Sequence, residues 1–205
     1  MNIGGLQRFS LCDFPGRTSA VVFTQGCNFR CPFCHNGRLI PPDAPDGAID
    51  EAGVMRFLCA RRGQLDGVVV SGGEPTLQSD LAGFLGRVRR LGFAVKLDTN
   101  GSRPGVLRAL LKESLVDYVA MDVKAPFERY GDLAGVAVEA GRLRESVAVI
   151  AGSGVEHEFR TTVVLPLLDA EDLAAVQRQL PSGSRHRLQP FRPETAMDPT
   201  LRGQA

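Results

Sequence analysis

SAVVFTQGCNFRCPFCHNG, from Ser19 to Gly37, joins a strand to a thiol-rich loop. The β-branched run Ser19 to Gln25 reads as a short buried strand. Directly behind it come Cys27, Cys31 and Cys34, spaced C-x3-C-x2-C. Three of the chain's five cysteines therefore sit at the carboxyl end of one strand. Whether that is an isolated loop or one wall of a site depends on what the rest of the chain places beside it.

Outward from this stretch, strand and helix alternate. A Pro-rich connector, LIPPDAPDGA, is followed by a helix that starts near Asp50 as N-cap and turns Val54, Phe57 and Leu58 to one face. DGVVVS (Asp66 to Ser71) is a second buried strand. Leu81, Phe84, Leu85, Val88 and Leu91 then step along one helical face, with Arg87, Arg89 and Arg90 opposite. FAVKLDT is a third strand, and Pro104 opens a helix carrying Val106, Leu107, Leu110 and Leu111. VDYVAMDV is a fourth strand, and Leu143, Val147 and Ile150 mark a helix. VEHEFRTTVV is a fifth strand, Leu173, Val176 and Leu180 mark a helix, and HRLQPF is a sixth strand.

Such alternation predicts one α/β domain over residues 1–205, with a mostly parallel six-stranded sheet covered by helices. Six strands are too few for a complete eight-stranded barrel, so a partial (βα)6 barrel with an open flank is expected. In an open sheet or a barrel alike, ligands sit beyond the carboxyl ends of the strands. There the sequence places GCNFRCPFC, SGGEPT, DTNGS, MDVKAP, RTTVVLP and QPF, which together describe one site. The tail from about residue 193 is polar and Pro-containing and is expected to be loose.

Bulk composition narrows the function classes. Lys and Arg total 24 against 23 Asp and Glu, so net charge gives no reason to expect nucleic acid or an anionic membrane as partner. No segment has the run of about 20 apolar residues needed for a membrane span. MNIGGLQRFSLCDFPG lacks the long apolar stretch of a signal peptide, and crowded, odd-numbered thiols fit a reducing compartment such as the cytoplasm.

Packing alone does not explain three thiols in a Gly/Asn/Pro loop. Structural zinc normally takes four ligands and a second C-x2-C or His pair. Only His35 lies close in sequence, since His157 and His186 stand on distant strands. Soft thiolates also suit an iron–sulfur cluster, and three of them leave one iron open for a substrate or cosubstrate.

At this point the residues resemble a known family. C-x3-C-x2-C with Phe33 before the third cysteine, followed by GGEP after the second strand, resembles the radical S-adenosylmethionine superfamily. SLCDFPG, CPFCHN and DTNG…MDVKAP resemble, more narrowly, the activating enzymes of glycyl radical enzymes, above all the short activating proteins of anaerobic ribonucleoside-triphosphate reductases. That resemblance implies a [4Fe–4S] cluster on Cys27, Cys31 and Cys34, with S-adenosylmethionine on the open iron. It implies reductive cleavage to a 5′-deoxyadenosyl radical that takes hydrogen from a glycine of a partner enzyme. It implies an electron donor such as flavodoxin or ferredoxin.

By the same resemblance, Phe33 lies near the adenine, and Gly72, Gly73, Glu74 and Pro75 meet the methionyl amine. Asp98, Thr99, Asp122 and Lys124 bind the methionyl carboxylate and a monovalent or other small cation. Arg160, Thr162 and Gln189, near the ends of late strands, are further candidates for the ribose or the carboxylate. Cys12 is not counted as a ligand, and Cys59 reads as a core residue of its helix. The arginine groups at 61–62 and 87–90 read as solvated helix faces.

Two other function classes remain. One is a small-molecule radical enzyme, such as a 7-carboxy-7-deazaguanine synthase-like protein. The other is a non-catalytic metal or electron-transfer module, which has no use for GGEP or the strand-end carboxylates.

Overall fold

A computed structural model describes residues 1–44, 47–165 and 167–202. Pro45 and Asp46 of the Pro-rich connector, Pro166 behind the fifth expected strand and residues 203–205 of the tail lie outside the described residues.

All six expected strands form, as β2 (Ser19–Thr24), β3 (Gly67–Gly72), β4 (Ala94–Thr99), β5 (Tyr118–Asp122), β6 (Glu156–Val163) and β7 (Arg185–Pro190). They are joined side by side in sequence order, and each neighbouring pair is parallel. A seventh strand, β1 (Ile3–Ser10), pairs antiparallel with β2 and makes the outer edge. The sheet runs from β1 to β7 without joining its ends, so the barrel stays partial and open.

β1 escapes sequence reading because IGGLQRFS lacks alternation and carries two glycines. Packing explains both. A Cβ on Gly4 would fall 2.3 Å from Gln25 Oε1, and one on Gly5 would press on the Phe23 ring at 3.3 Å. Glycine inside a strand marks such a close approach.

Strand order without reversals, joined by right-handed connections, puts the helices on one face of the sheet. α1 (Glu51–Ala60), α2 (Leu81–Arg90), α3 (Pro104–Lys112), α4 (Tyr130–Ala134), α5 (Ala140–Ala151) and α6 (Ala170–Gln179) follow the strands as connectors. Leu81, Phe84, Leu85 and Val88 of α2, Leu107 and Leu110 of α3, and Leu143, Val147 and Ile150 of α5 are buried in one core with Val70, Leu97, Val119 and Phe159 of the sheet. Each such side chain contributes about 1.5–3 kcal/mol. The opposite face holds a small apolar cluster of Phe14, Val21, Val69, Tyr118 and Ala120.

Three sequence readings are corrected. Cys59 is exposed, because α1 buries only Val54 and Leu58 and the next residue turns to solvent. Cys12, not counted as a ligand and open to a reading as a small buried residue, is also exposed, in the loop between β1 and β2. The tail expected to be loose carries two 3-10 turns, Pro193–Thr195 and Pro199–Leu201, and buries Ala196 and Leu201 in the main core. Its polar, Pro-rich composition conceals those two apolar anchors.

Asp50 caps α1 as expected, its carboxylate accepting from the Ala52 and Gly53 amides at 3.0 Å each. Asp50→Ala should therefore lower stability by about 1 kcal/mol. Urea unfolding of the two proteins at neutral pH checks this, and an unchanged midpoint would contradict the cap.

Candidate functional site

The carboxyl ends of the parallel strands surround a cavity of about 600 Å³. Cys27, Cys31, Cys34 and Phe33 line it from the loop after β2, and Gly72, Gly73 and Glu74 from the loop after β3. Asp98 and Thr99 come from β4, Asp122 and Lys124 from β5 and its following turn, Arg160 and Thr162 from β6, and Gln189 from β7. Every residue singled out in the sequence reaches this cavity except Pro75, which is buried in the 3-10 turn behind Glu74. Sequence reading did not name Asp13, Asn100, Arg187 and Arg192, which also line it, and weighed His35, another lining residue, only as a zinc ligand.

The two glycines are where the cysteine loop meets β3. Gly72 has φ +121°, and a Cβ there would lie 2.3 Å from the Thr24 amide nitrogen. A Cβ on Gly73 would lie 2.1 Å from the Gly26 carbonyl oxygen. The Gly73 amide donates to Thr24 O at 2.9 Å, and the Glu74 amide donates to Gly26 O at 2.9 Å. The cysteine loop is thus laid on bare backbone.

Glu74 is fully buried and works within the protein. Its Oε1 accepts from the Thr76 amide at 3.1 Å, the Thr76 hydroxyl at 2.5 Å and the Thr99 hydroxyl at 2.8 Å. Its Oε2 accepts from the Asn100 amide at 2.6 Å. Burial raises its pKa against the pull of these donors. Glu74 ties the end of β3 to the end of β4. Asn100 extends the tie, donating through Nδ2 to Asn28 Oδ1 at 2.9 Å, beside Cys27.

Phe33 is buried, with the Lys124 ammonium 5.9 Å from its ring centroid. Burial pushes the Cys27 thiol up to about 11 and raises Cys31 as well, the nearby Lys124 charge pulling each back. Loading a metal onto these thiols would therefore release protons.

Across the cavity runs a ladder of alternating charge. Lys96 Nζ donates to Asp98 Oδ1 at 2.5 Å. Arg160 spans Asp98 Oδ2 at 3.4 Å and Asp122 Oδ1 at 2.9 Å, and Lys124 Nζ lies 3.5 Å from Asp122 Oδ2. Burial works against the Asp122 charge, but Arg160 and Lys124 outweigh it and hold its pKa below the usual carboxylate value. Burial also opposes the charge on Lys124, but the neighbouring Cys31 and Asp122 more than compensate and raise its pKa. Three cations face two carboxylates, and all four carboxylate oxygens have a cationic neighbour. The small cation expected near Asp98 and Asp122 would add positive charge to a ladder already in excess. An anionic group such as a carboxylate fits better.

The zinc alternative lacks support in this geometry. Among the described residues no three His, Cys, Asp or Glu side chains come together around a single ion. His35 is engaged elsewhere, its ring stacked on Phe191 and its Nε2 accepting from the Arg192 amide at 3.1 Å. Three soft donors on one cavity wall, with no fourth protein ligand beside them among the described residues, instead fit a cluster with one open position.

The profile of the Radical SAM superfamily matches residues 21–180. The chain is 34% identical over 202 residues to "Putative glycyl-radical enzyme activating enzyme MJ1227" of Methanocaldococcus jannaschii, covering 96% of this chain and 82% of that one. It is 33% identical over 137 residues to the pyruvate formate-lyase-activating enzyme of Streptococcus mutans serotype c (60% of this chain, 50% of that one). It is also 33% identical over 132 residues to the 7-carboxy-7-deazaguanine synthase of Methanopyrus kandleri (55% and 52%). The fold matches that of Streptococcus suis SuiB bound to S-adenosylmethionine, with a TM-score of 0.62 at 17% identity, over 82% of this chain and 39% of that one.

Two variants test the geometry. Gly73→Ala forces the cysteine loop off its seat and should cost about 1–3 kcal/mol by urea unfolding. Arg160→Met leaves Asp98 and Asp122 under-compensated and should cost about 3 kcal/mol at neutral pH. Because the folded Asp122 pKa is depressed, its share of stability is present above the ordinary Asp value near 4 and is lost as pH falls through the folded value. The gap between wild type and Arg160→Met should narrow on acidification, and a gap independent of pH would refute the ladder.

Proposed function

Because the chain belongs to the radical S-adenosylmethionine superfamily, a family that implies a [4Fe–4S] cluster and S-adenosylmethionine, we propose that it is a glycyl radical enzyme activating enzyme. The observation that carries this reading is the convergence of the three thiols, the glycine backbone and the charge ladder on one cavity. The match along 96% of the chain to a relative named for that activity supports it.

Cys27, Cys31 and Cys34 hold the cluster. When bound, it supplies one electron that splits S-adenosylmethionine into methionine and a 5′-deoxyadenosyl radical. Backbone carbonyls at Gly72 and Gly73 receive the methionyl ammonium, while Glu74 and Pro75 position that backbone from behind. Lys124, at the end of a ladder in which Lys96, Arg160 and Lys124 outnumber Asp98 and Asp122 by one charge, receives the methionyl carboxylate. Phe33 offers a ring face toward the adenine. Thr99 braces Glu74, and Thr162 and Gln189 supply polar contacts for the ribose.

The radical so supplied would take a hydrogen atom from a glycine on a loop of the partner enzyme, leaving 5′-deoxyadenosine and a glycyl radical, and the open flank between β1 and β7 would admit that loop. The partner proposed is an anaerobic ribonucleoside-triphosphate reductase, with flavodoxin or ferredoxin as electron donor in the cytoplasm. The motif pair DTNG and MDVKAP favours this over the deazaguanine synthase class, although a 7-carboxy-7-deazaguanine synthase also matches in part.

Anaerobic reconstitution should yield one cluster that is lost in Cys27→Ser, Cys31→Ser or Cys34→Ser and kept in Cys12→Ser and Cys59→Ala. Lys124→Ala should keep the cluster and weaken S-adenosylmethionine binding about 10- to 100-fold, the loss of one charge-assisted contact. The deciding measurement is electron paramagnetic resonance after mixing reduced protein, S-adenosylmethionine and the reductase. A glycyl doublet is expected, absent when the target glycine is changed to alanine. Rapid turnover of a purine precursor with no doublet would transfer the protein to the small-molecule class.

A further inference from the structure

The three cysteines are not held equally. Cys27 is anchored from several sides. Its amide donates to Ile40 O at 3.0 Å, and the neighbouring Gly26 amide donates to Leu39 O at 2.8 Å. Its sulfur accepts from the Phe29 amide at 3.4 Å, and Asn100 braces the adjoining Asn28. The middle of the loop is pinned where the Arg30 amide donates to Ala134 O at 2.8 Å.

Beyond Cys31 the loop has little support of its own. Cys34 closes a local turn onto Cys31 O at 3.0 Å, and His35 and Asn36 are exposed. Along the chain, the Leu39 and Ile40 amides donate to Asn36 O at 2.8 Å and Gly37 O at 3.2 Å. Among the described residues, the hydrogen bonds that reach residues 31–37 from beyond residue 40 are two, and both come from the C-terminal tail. The Asp198 amide donates to Pro32 O at 2.8 Å, and the Arg192 amide donates to His35 Nε2 at 3.1 Å. The Phe191 ring stacks on His35 with centroids 5.7 Å apart and planes 14° apart. Met197 covers Gly37, and Ala196 and Leu201 sink into the same core as Cys31 and Phe33.

We infer that the tail from Phe191 to Arg202 is a strap that positions the third cysteine, with Phe191 as a positioning residue acting through His35. The inference rests on the cluster reading above. Its physical content is that Cys34 sits between the buried Phe33 and the exposed His35 and Asn36, so the outer half of the turn keeps its sulfur aimed through what the tail holds. Partners behind metal ligands commonly matter this much.

The test uses the full chain, reconstituted anaerobically, with Phe191→Ala, Phe191→Trp and wild type compared. Phe191→Ala should assemble a cluster that is lost to a ferrous chelator about tenfold faster, followed at the iron–sulfur absorption band. Its reduced cluster should give an altered paramagnetic resonance signal. The unfolding midpoint of the metal-free protein should match wild type, which separates positioning from general stability. Phe191→Trp, which keeps a ring over His35, should restore wild-type retention. Wild-type retention in Phe191→Ala overturns the inference, as does failure of both variants to hold a cluster. A wild-type protein that assembles no cluster overturns the cluster reading and the strap with it, so the two failures are told apart.

Discussion

The site depends on one close approach of backbone to backbone. Gly73 lies so near Gly26 that a single added methyl would meet a carbonyl oxygen at 2.1 Å. Side chains can bend away from a neighbour, but two peptide units held together by the 2.9 Å hydrogen bond from the Glu74 amide to Gly26 O leave no room for that methyl. The contact fixes the start of the cysteine loop relative to the end of β3. Glu74 then carries the same constraint to β4 through the Thr99 hydroxyl and the Asn100 amide. Three motifs far apart in sequence are thereby held as one rigid unit. A carboxylate this deeply buried persists because each oxygen has a donor, which offsets the cost of desolvation.

From that frame follows a division of labour among charged residues. Glu74 is spent on architecture. Asp98 and Asp122 are spent on orienting Arg160 and Lys124, and with Lys96 on the other oxygen of Asp98 the ladder is left with one surplus positive charge. In sequence, a strand-end aspartate followed two residues later by lysine suggests a cation site as readily as an anion site. The balance is set by Lys96 and Arg160. Lys96 lies beside Asp98 and over the Tyr118 ring, in a run that reads simply as strand, so nothing local distinguished it from an ordinary strand-face residue.

The periodic parts of the fold were legible for a clear reason. Helices such as α2 show their buried face at 3.6-residue spacing, and the parallel strands β2 to β5 are mostly apolar because both their faces are buried. The cysteine loop, GGEP and the strand-end motifs were legible because their residue types are too costly or too specific to sit there by chance. β1 was not legible, since its partner contacts are made by missing side chains at Gly4 and Gly5. Cys59 was misplaced because a step of one residue on a helix rotates a side chain by about 100°, enough to carry it from core to solvent.

The tail shows the limit most plainly. FRPETAMDPTLR has the composition of a linker, and its polar and proline residues outnumber its apolar ones. Composition measures whether a segment can bury a core of its own, and this one cannot. It does not measure whether a few anchors fit a surface already built by the rest of the chain. Ala196 and Leu201 fill such places, Phe191 finds the face of His35, and the intervening prolines reduce the entropy lost when the segment is fixed. A segment of this kind is ordered by the domain it lies on, and in return its Asp198 and Arg192 amides give the thiol turn two hydrogen bonds that the turn cannot make for itself.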